Sequence, residues 1–403
     1  MPKRIIGLLL LCLAPACCAA ERPSEFILSY WCGPLPSETN EARYKEVANA
    51  GFNIAMPPCA AADVELNRKI LDLCKRTGMR AIIADRRLLA KQPNDDDFTK
   101  NLDAVIADYA SHPALFGYFL TDEPNASAFP LLGAVTQYLL KKDPKHVPYV
   151  NLFPNYASEQ QLGTTTYEEH VKQFIEVVKP PLVSYDHYAL VGDTERDVWW
   201  DNLEVVRRQC LAHDVPFVVI ILSLPHGPYR DPTEGDLRWQ AYSSLAYGAK
   251  GILYFTYWTP SPGDPLGYHG GIISYDGKRL GKYDMVKRVN AELAKLGGVL
   301  TGLKSTAVYR SNDARPNALI KTKGEDLVIG EFADAAKRKY VMIVNRSPRK
   351  SSDALFTVPR ALEVVEVLQA GREETVVDSE FPLDLPVRTR LAAGGGKLYR
   401  IVE

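Results

Sequence analysis

FVVIIL, at Phe217–Leu222, is a continuous apolar run without the polar alternation of a half-exposed strand. Such a run, rich in β-branched residues, is typical of a strand covered on both faces by helices. An amphipathic segment at 236–247 follows it, and a second apolar run, GILYFTY, occupies 251–257. The order strand, helix, strand predicts that the two strands pair in parallel.

The same order recurs from residue 26 to about residue 296. Apolar strand-like runs lie at 26–31, 52–56, 80–84, 115–120, 148–152, 182–185, 217–222 and 251–257. Helical patterns follow at 40–50, 63–77, around 102–109, and at 131–141, 168–178, 203–213, 236–247 and 283–296. Because eight parallel strands close into a barrel, the sequence predicts an α/β protein with a (β/α)₈ TIM barrel. A doubly wound open sheet is the alternative, but nothing resembles its glycine-rich phosphate loop.

The pattern changes after residue 300. Short strand-like pieces between turn residues lie at 327–332, 340–344, 355–358, 364–368 and 398–402. They predict a small antiparallel β-sandwich that packs against the barrel. The predicted domains are therefore a barrel over residues 21–300 and a β-sandwich domain over residues 301–403.

The first twenty residues have the layout of a secretory signal peptide. Lys3 and Arg4 precede an apolar run at 5–13, and small residues follow as far as Ala20. This pattern predicts export to the periplasm or the extracellular space, with cleavage after Ala20. Lipid attachment at Cys17 or Cys18 is the alternative. No later run is long and apolar enough to predict a transmembrane helix.

The net charge bears on nucleic-acid binding, and the cysteine spacing bears on zinc binding and disulfide formation. The 403-residue chain has a formal net charge of -1, which gives no reason to expect nucleic acid as a partner. Outside the leader, Cys32, Cys59, Cys74 and Cys210 show neither a zinc spacing nor a disulfide scaffold. Cys32 and Cys59 follow adjacent predicted strands, so they are the pair that an exported protein could oxidise. Four buried free thiols are the alternative.

Candidate site residues come from the carboxyl ends of the strands, where barrels of this kind place their active sites. These positions carry acids beside aromatic residues: Tyr30, Trp31, Asp85, Asp122, Glu123, Asn151, Asp186, His187, Tyr188, His226, Tyr257 and Trp258. Aromatic faces stack on the C–H faces of sugar rings, and carboxylates bind hydroxyls or act on the glycosidic oxygen. The combination predicts a carbohydrate substrate, without a cofactor or a metal.

Breaking a glycosidic bond usually needs a carboxylic acid to protonate the leaving oxygen, and a second group that attacks or stabilises the anomeric carbon. Glu123 is the predicted acid, with a pKa raised by partial burial and by the neighbouring Asp122. Asp186 is the third catalytic candidate, and the other residues of the set are predicted to bind substrate. Structural roles are the alternative for several of them, including pairing of Asp85 with Arg86 or Arg87.

GYFLTDEPN, at Gly117–Asn125, resembles the fourth-strand segment of clan A barrel glycoside hydrolases, which reads Asn-Glu-Pro at this place. LRWQAYSSLAYGAKGILYFTYW, at Leu237–Trp258, is similar to β-galactosidase-like members of that clan. The resemblance implies that Glu123 is the acid/base residue and that Asp122 stands where the clan has Asn.

The chain departs from clan A at the end of the seventh strand. The clan has its nucleophilic Glu there, whereas this sequence reads Ser223-Leu224-Pro225. Asp186 could supply the second carboxylate. Alternatively, Asp122 and Glu123 resemble the Asp-Glu pair of substrate-assisted hexosaminidases, including an N-acetylgalactosaminidase family with a similar Asp-Glu-Pro. That resemblance implies that Asp122 orients a substrate 2-acetamido group, which acts as the nucleophile.

Three other functions compete with a glycoside hydrolase. The missing strand-seven acid favours a non-catalytic barrel that binds glycan. Ser223 and His226 could serve an ester or amide hydrolase, but the sequence has no G-x-S-x-G elbow. A metal-dependent hydrolase has little support because the histidines do not cluster at ligand spacing.

Overall fold

The computed structural model describes residues 22–59, 62–88, 96–313, 315–322 and 326–403. The predicted signal peptide lies outside these residues. Within these ranges, none of the helices combines the length and the apolar character needed to cross a bilayer.

Eight parallel strands form the first sheet. They are β1 (Ile27–Tyr30), β2 (Ile54–Ala55), β3 (Arg80–Ala84), β4 (Leu115–Asp122), β5 (Val147–Leu152), β6 (Val183–His187), β7 (Phe217–Leu222) and β8 (Gly251–Phe255). Their order runs from β2 in sequence to β8 and then to β1, so the first and last strands are neighbours. This arrangement confirms the predicted (β/α)₈ barrel.

The seam between β1 and β2 is held by a few specific contacts. The Asn53 backbone N–H donates to the Leu28 carbonyl (3.0 Å), and the Leu28 N–H donates to the Asn53 side chain (2.8 Å). At the mouth of the barrel, Cys32 and Cys59 form a disulfide with their Cα atoms 4.7 Å apart. The disulfide therefore links the loops after β1 and β2, where the sheet has the fewest hydrogen bonds.

Eight helices cover the barrel. They are α1 (Glu41–Asn49), α2 (Val64–Thr77), α3 (Asp96–Tyr109), α4 (Phe129–Lys142), α5 (Tyr167–Val178), α6 (Val198–Ala212), α7 (Glu234–Ala246) and α8 (Gly281–Leu300). Helix α2 shows how local sequence fixes the boundaries, since Asp63 accepts from the Leu66 N–H and Gly78 ends the helix at φ 74°. Helix α6 begins five residues before the predicted 203, because Trp199 and Trp200 are buried in its first turn.

The C-terminal strands form one antiparallel sheet. They are β9 (Lys304–Arg310), β10 (Lys321–Thr322), β11 (Leu327–Ala333), β12 (Lys339–Asn345), β13 (Ser352–Gln369), β14 (Arg372–Leu391) and β15 (Gly396–Val402). The order is β9-β11-β12-β15-β13-β10, and β14 pairs with β13. The pieces predicted at 355–358 and 364–368 are one long strand, β13, interrupted by register shifts near Ala361.

The β-domain packs on α7 through close backbone contacts. A side chain at Gly330 would collide with the Ala246 carbonyl, and one at Gly394 would collide with the Gly235 carbonyl. Apolar residues of the sheet, including Met342 and Leu398, belong to the same core cluster as the barrel. The two sheets are therefore joined by a continuous apolar core.

We predict that replacing both Cys32 and Cys59 by Ala lowers the free energy of unfolding by about 3–4 kcal/mol, the chain-entropy value for a loop of this length. The two cysteines are 27 residues apart. Urea unfolding followed by circular dichroism measures the change. A reducing agent should shift the wild-type midpoint towards that of the variant and leave the variant unchanged. An equal shift in both proteins would contradict the prediction.

Candidate functional site

A cleft of about 530 Å³ opens at the carboxyl ends of the barrel strands. The strands β4 to β8 and the loops after them supply most of its walls, and Trp31 reaches it from the end of β1. The lining residues are Trp31, Asp122, Glu123, Asn151, Pro154, Tyr156, Gln161, Asp186, Tyr188, Ile220, His226, Pro228, Tyr229, Phe255, Leu266 and Tyr268. The cleft therefore contains all three predicted catalytic residues.

Asp122 and Glu123 both face the cleft although they are consecutive in sequence. In a regular strand, successive side chains point to opposite faces. Asp122 is the last residue of β4, and Glu123 adopts a left-handed backbone conformation with φ 45°. The Glu123 N–H donates to the Asn151 carbonyl (2.8 Å), which holds this bend against β5. The bend brings two adjacent carboxyl groups to one side of the chain.

Asn151 joins two of the acids. Its Nδ2 donates to Asp122 Oδ1 (3.0 Å) and to Asp186 Oδ1 (2.9 Å), so both amide hydrogens are used. Its Oδ1 accepts from Ser184 Oγ (3.1 Å), and this hydroxyl also bonds to the Tyr149 hydroxyl (2.7 Å). Asn151, predicted to bind substrate, lines the cleft, and its side chain also fixes the positions of the two acids.

Burial raises the pKa of all three carboxyl groups, and neighbouring carboxyl charges add to the shift for Asp186 and Glu123. Burial raises the pKa of Asp186 well above its ordinary value, and the charges of Glu123 and Asp122 add to this. Burial and then the charge of Asp122 raise the pKa of Glu123 to about 7, although a hydrogen bond with Asp186 lowers it in part. Asp122 is open to the cleft, but desolvation by the surrounding protein still raises its pKa, against the hydrogen bond from Asn151.

Glu123 can therefore hold a proton near neutral pH. A carboxylic acid acts as a general acid most effectively when its pKa lies near the working pH. When carboxyl groups lie close together, repulsion between their negative charges keeps at least one of them protonated while another is ionised. In this cluster Asp186 is the most buried member, with 5% of its surface exposed, and is the carboxyl most strongly held in the neutral form.

An aromatic cluster lies in the cleft beside the acids, near β6, β7 and β8. The ring centroid of His226 is 4.8 Å from the centroid of Tyr229 and 4.8 Å from that of Tyr268. The ring centroids of Tyr188 and Phe255 are 5.1 Å apart. Burial lowers the pKa of His226, which favours the neutral imidazole. Such a surface suits the apolar face of a sugar ring.

Three of the predicted aromatic residues do not border the cleft. Tyr30 and Tyr257 are fully buried, and their ring centroids are 4.8 Å apart. The Tyr257 hydroxyl donates to Glu46 on α1 (2.9 Å), which places this ring in the layer between barrel and helices. Trp258 is buried as well, and its Nε1 donates to the Tyr275 carbonyl (3.3 Å). For these residues the prediction of substrate contact is corrected to packing.

Asp85 and His187 are also occupied by the protein. Asp85 accepts from Arg87 Nη2 (2.7 Å) and from the Tyr109 hydroxyl (2.8 Å). Burial opposes ionisation of Asp85, but these hydrogen bonds outweigh it and lower the pKa. His187 is fully buried between Tyr156 and Trp199, and burial lowers its pKa to about 3. His187 thus lies behind the wall of the cleft.

Several lining residues were missed from the sequence: Pro154, Tyr156, Gln161, Ile220, Pro228, Tyr229, Phe255, Leu266 and Tyr268. Most of these residues lie in the segments after β5, β7 and β8, where the sequence has no periodic pattern that would predict which way a side chain points. Phe255 faces the cleft because successive residues of a strand point to opposite sides, and Tyr254 before it points towards α8, where its hydroxyl donates to Asn290 (2.9 Å).

We predict that Asp122→Asn lowers the pKa of Glu123, because it removes the neighbouring negative charge that raises it. Carbon-13 NMR titration of the glutamate side-chain carboxyls measures the change directly. Asp193→Asn is the matched control, since Asp193 is exposed and outside the cleft. An unchanged Glu123 titration in Asp122→Asn would show that desolvation alone sets this pKa.

No protein-family model and no curated protein matches the sequence. Solved structures do match. A catalytic mutant of a GH42 β-galactosidase from G. stearothermophilus superposes with a TM-score of 0.64 at 10% identity, over 96% of this chain and 100% of that chain. The β-galactosidase from Bacillus circulans sp. alkalophilus gives 0.60 at 10% identity, over 94% and 100%.

A third match is the β-galactosidase from the psychrophilic Marinomonas ef1, with a TM-score of 0.49 at 10% identity. The match covers 68% of this chain and only 62% of that protein. At these identities the first two likenesses show the fold. They agree with the predicted resemblance to β-galactosidase-like barrels, and they extend over the C-terminal β-domain as well as the barrel.

Proposed function

We propose that this chain is a glycoside hydrolase in which Glu123 protonates the leaving oxygen of a glycosidic bond. The observation that carries the proposal is a carboxyl group whose pKa is raised to about 7, facing a cleft at the mouth of the barrel. The aromatic cluster beside it offers a surface for a sugar ring. The fold is also that of two β-galactosidases, although fold likeness alone does not transfer an activity.

Asp186 is poorly suited to be the nucleophile. It is almost fully buried, and its Oδ1 accepts a hydrogen bond from Asn151 Nδ2 (2.9 Å). The end of β7 carries Ser223 and Leu224 and so offers no acid. We therefore assign Asp186 a structural role beside Glu123, within the hydrogen-bond network of Asn151.

Asp122 is better placed for the second role. Its side chain is open to the cleft, is oriented by Asn151 and has no ion pair with any described basic residue. We propose that it accepts a hydrogen bond from the N–H of a substrate 2-acetamido group. The carbonyl oxygen of that group then attacks the anomeric carbon while the leaving C–O bond breaks and Glu123 supplies its proton.

The second half of the reaction regenerates the acid. Glu123, now ionised, removes a proton from water as the water attacks the anomeric carbon and opens the oxazolinium ring, whose nitrogen has kept its proton. The sugar is released with its original anomeric configuration, because the anomeric carbon is attacked twice from alternate faces. This scheme needs one acid/base carboxyl and one orienting carboxylate, which matches the adjacent pair at the end of β4.

A glycan-binding barrel without catalysis is the alternative, favoured by the absence of an acid after β7. An ester or amide hydrolase has less support, since Ser223 is fully buried and does not line the cleft. Within the part of the chain that the structure describes, no group of His, Cys, Asp and Glu side chains forms a metal site.

We also propose that the protein is exported and that residues 1–20 are removed, with lipid attachment in the leader as the alternative. The Cys32–Cys59 disulfide supports this, because disulfides persist in oxidising compartments.

For the domain limits we propose residues 21–300 and 301–403. The end of α8 at Leu300 and the start of β9 at Lys304 support that boundary.

We predict that Glu123→Gln lowers kcat on a chromogenic 2-acetamido glycoside by about 10²–10⁴-fold, the usual contribution of a general acid/base. The amide keeps the shape of the side chain but carries no transferable proton. Far-UV circular dichroism should show an intact fold. Glu65→Gln, at an exposed position on α2, is the matched control and should keep full activity. Wild-type turnover in Glu123→Gln would refute the proposed role.

We predict that 2-acetamido glycosides are hydrolysed at least a hundredfold faster than the matching 2-hydroxy glycosides, since the 2-hydroxy sugar lacks the proposed nucleophile. Initial rates on paired nitrophenyl glycosides measure the ratio. Asp122→Asn should lower the rate on the 2-acetamido substrate, and a thiazoline analogue should inhibit the wild type. Equal rates on both sugars would support direct attack by a protein carboxylate instead.

A further inference from the structure

A second cavity, of about 300 Å³, opens at the ends of β1 to β4. It shares Trp31 and Asp122 with the cleft, so the two spaces adjoin at the mouth of the barrel. Its lining residues are Trp31, Cys32, Met56, Pro57, Pro58, Cys59, Ala84, Asp85, Arg86, Phe119, Leu120 and Asp122. A ligand that extends from the cleft beyond Asp122 would enter this cavity.

The walls of the second cavity are mostly apolar. The disulfide, Met56, Pro57 and Pro58 form one side, and Trp31 packs edge-to-face on Phe119 with ring centroids 5.6 Å apart. An aromatic ring next to aliphatic walls gives a sugar ring a surface for its C–H face. The volume is at the lower end of the range of about 300–1,000 Å³ for small-molecule sites, which suits a single ring.

Two consecutive arginines at this cavity differ in their partners. Arg87 is bound to Asp85 (2.7 Å) and to Asp108 (2.8 Å), so its charge is matched inside the protein. Arg86 is exposed and borders the cavity, and no described acidic residue forms an ion pair with it. Asp85 is already neutralised by Arg87, and Asp122 is held by Asn151 at the boundary with the cleft. Arg86 is therefore the one charged residue of this lining, among the described residues, that lies away from the cleft and has no ion-pair partner, since Asp85 pairs with Arg87 and Asp122 lies at the boundary with the cleft.

We propose that this cavity binds the neighbouring unit of the same saccharide, and that this unit carries an anionic group that pairs with Arg86. The inference rests on the proposed function for the position of the cleaved bond. A guanidinium pairs bidentately with either a carboxylate or a sulfate, so the shared chemistry is a planar or tetrahedral oxyanion on a sugar. The substrate class is then an acidic oligosaccharide that contains 2-acetamido sugars.

The test is binding by isothermal titration calorimetry to the full-length Glu123→Gln protein, in which turnover is suppressed. The probes are an unsulfated chondroitin tetrasaccharide, its sulfated form and neutral chitotetraose, which all contain 2-acetamido sugars. Arg86→Met in the same background should weaken at least one acidic probe by tenfold or more and leave chitotetraose unchanged. Arg86→Lys should recover part of the loss, because it restores the charge without the planar fork.

The pattern across probes identifies the anionic group. A loss with both acidic probes assigns a carboxylate, and a loss with the sulfated probe alone assigns a sulfate. Equal binding of acidic probes by the Arg86→Met and Arg86 proteins, or failure of every acidic probe to bind, would overturn the inference. Hydrolysis of chromogenic glycosides by the wild type is measured separately. If no glycoside is hydrolysed but binding depends on Arg86, the cavity stands and the proposed hydrolase fails.

Discussion

One amide group holds the candidate site together. The two hydrogens on Nδ2 of Asn151 bond to carboxylate oxygens from two different strands, Asp122 on β4 and Asp186 on β6. Asp122 and Asp186 repel each other when both are ionised, and the amide offsets part of that repulsion by donating to both. Its own orientation is fixed from behind by Ser184 and Tyr149. If Asn151 were free to rotate, it would no longer hold Asp122 and Asp186 in place beside Glu123, and the part of the Glu123 pKa shift that comes from the charge of Asp122 would change.

The backbone at Glu123 is the second constraint. A left-handed conformation in a residue other than glycine costs on the order of 1–3 kcal/mol, and it persists only where surrounding contacts enforce it. Here the Glu123 N–H is bonded to β5 through the carbonyl of Asn151, the same residue whose side chain orients Asp122. Backbone and side chain of one residue therefore position both members of the Asp-Glu pair. These contacts fix the candidate pair at the β4–β5 junction, on the regular part of the barrel.

The sequence predicted the fold well because both of its determinants are local. Apolar runs such as Phe217–Leu222 identify strands covered on both faces, and their alternation with amphipathic helices fixes parallel order and barrel closure. The candidate site was predicted less completely, because position at a strand end does not tell which way a side chain faces. Tyr30 and Tyr257 lie at strand ends, but their side chains are buried away from the cleft. Trp31 and Tyr188 lie at strand ends and also face the cleft. Asp85 pairs with Arg87, two residues further along the chain. Sequence spacing alone could not show whether Asp85 would bind this arginine or a substrate.

The parts of the site that sequence could not reveal are those made by irregular chain. Tyr156 and Tyr268 come from the segments after β5 and β8, and they meet residues of β6 and β8 only because the closed barrel brings all eight strand ends to one rim. Closure itself depends on the β1–β2 seam, where the disulfide and the Asn53 contacts replace a continuous ladder. The same disulfide forms a wall of the second cavity. The Cys32–Cys59 disulfide therefore has two structural effects. It links the loops at the β1–β2 seam, and it sets the shape of the cavity next to Asp122.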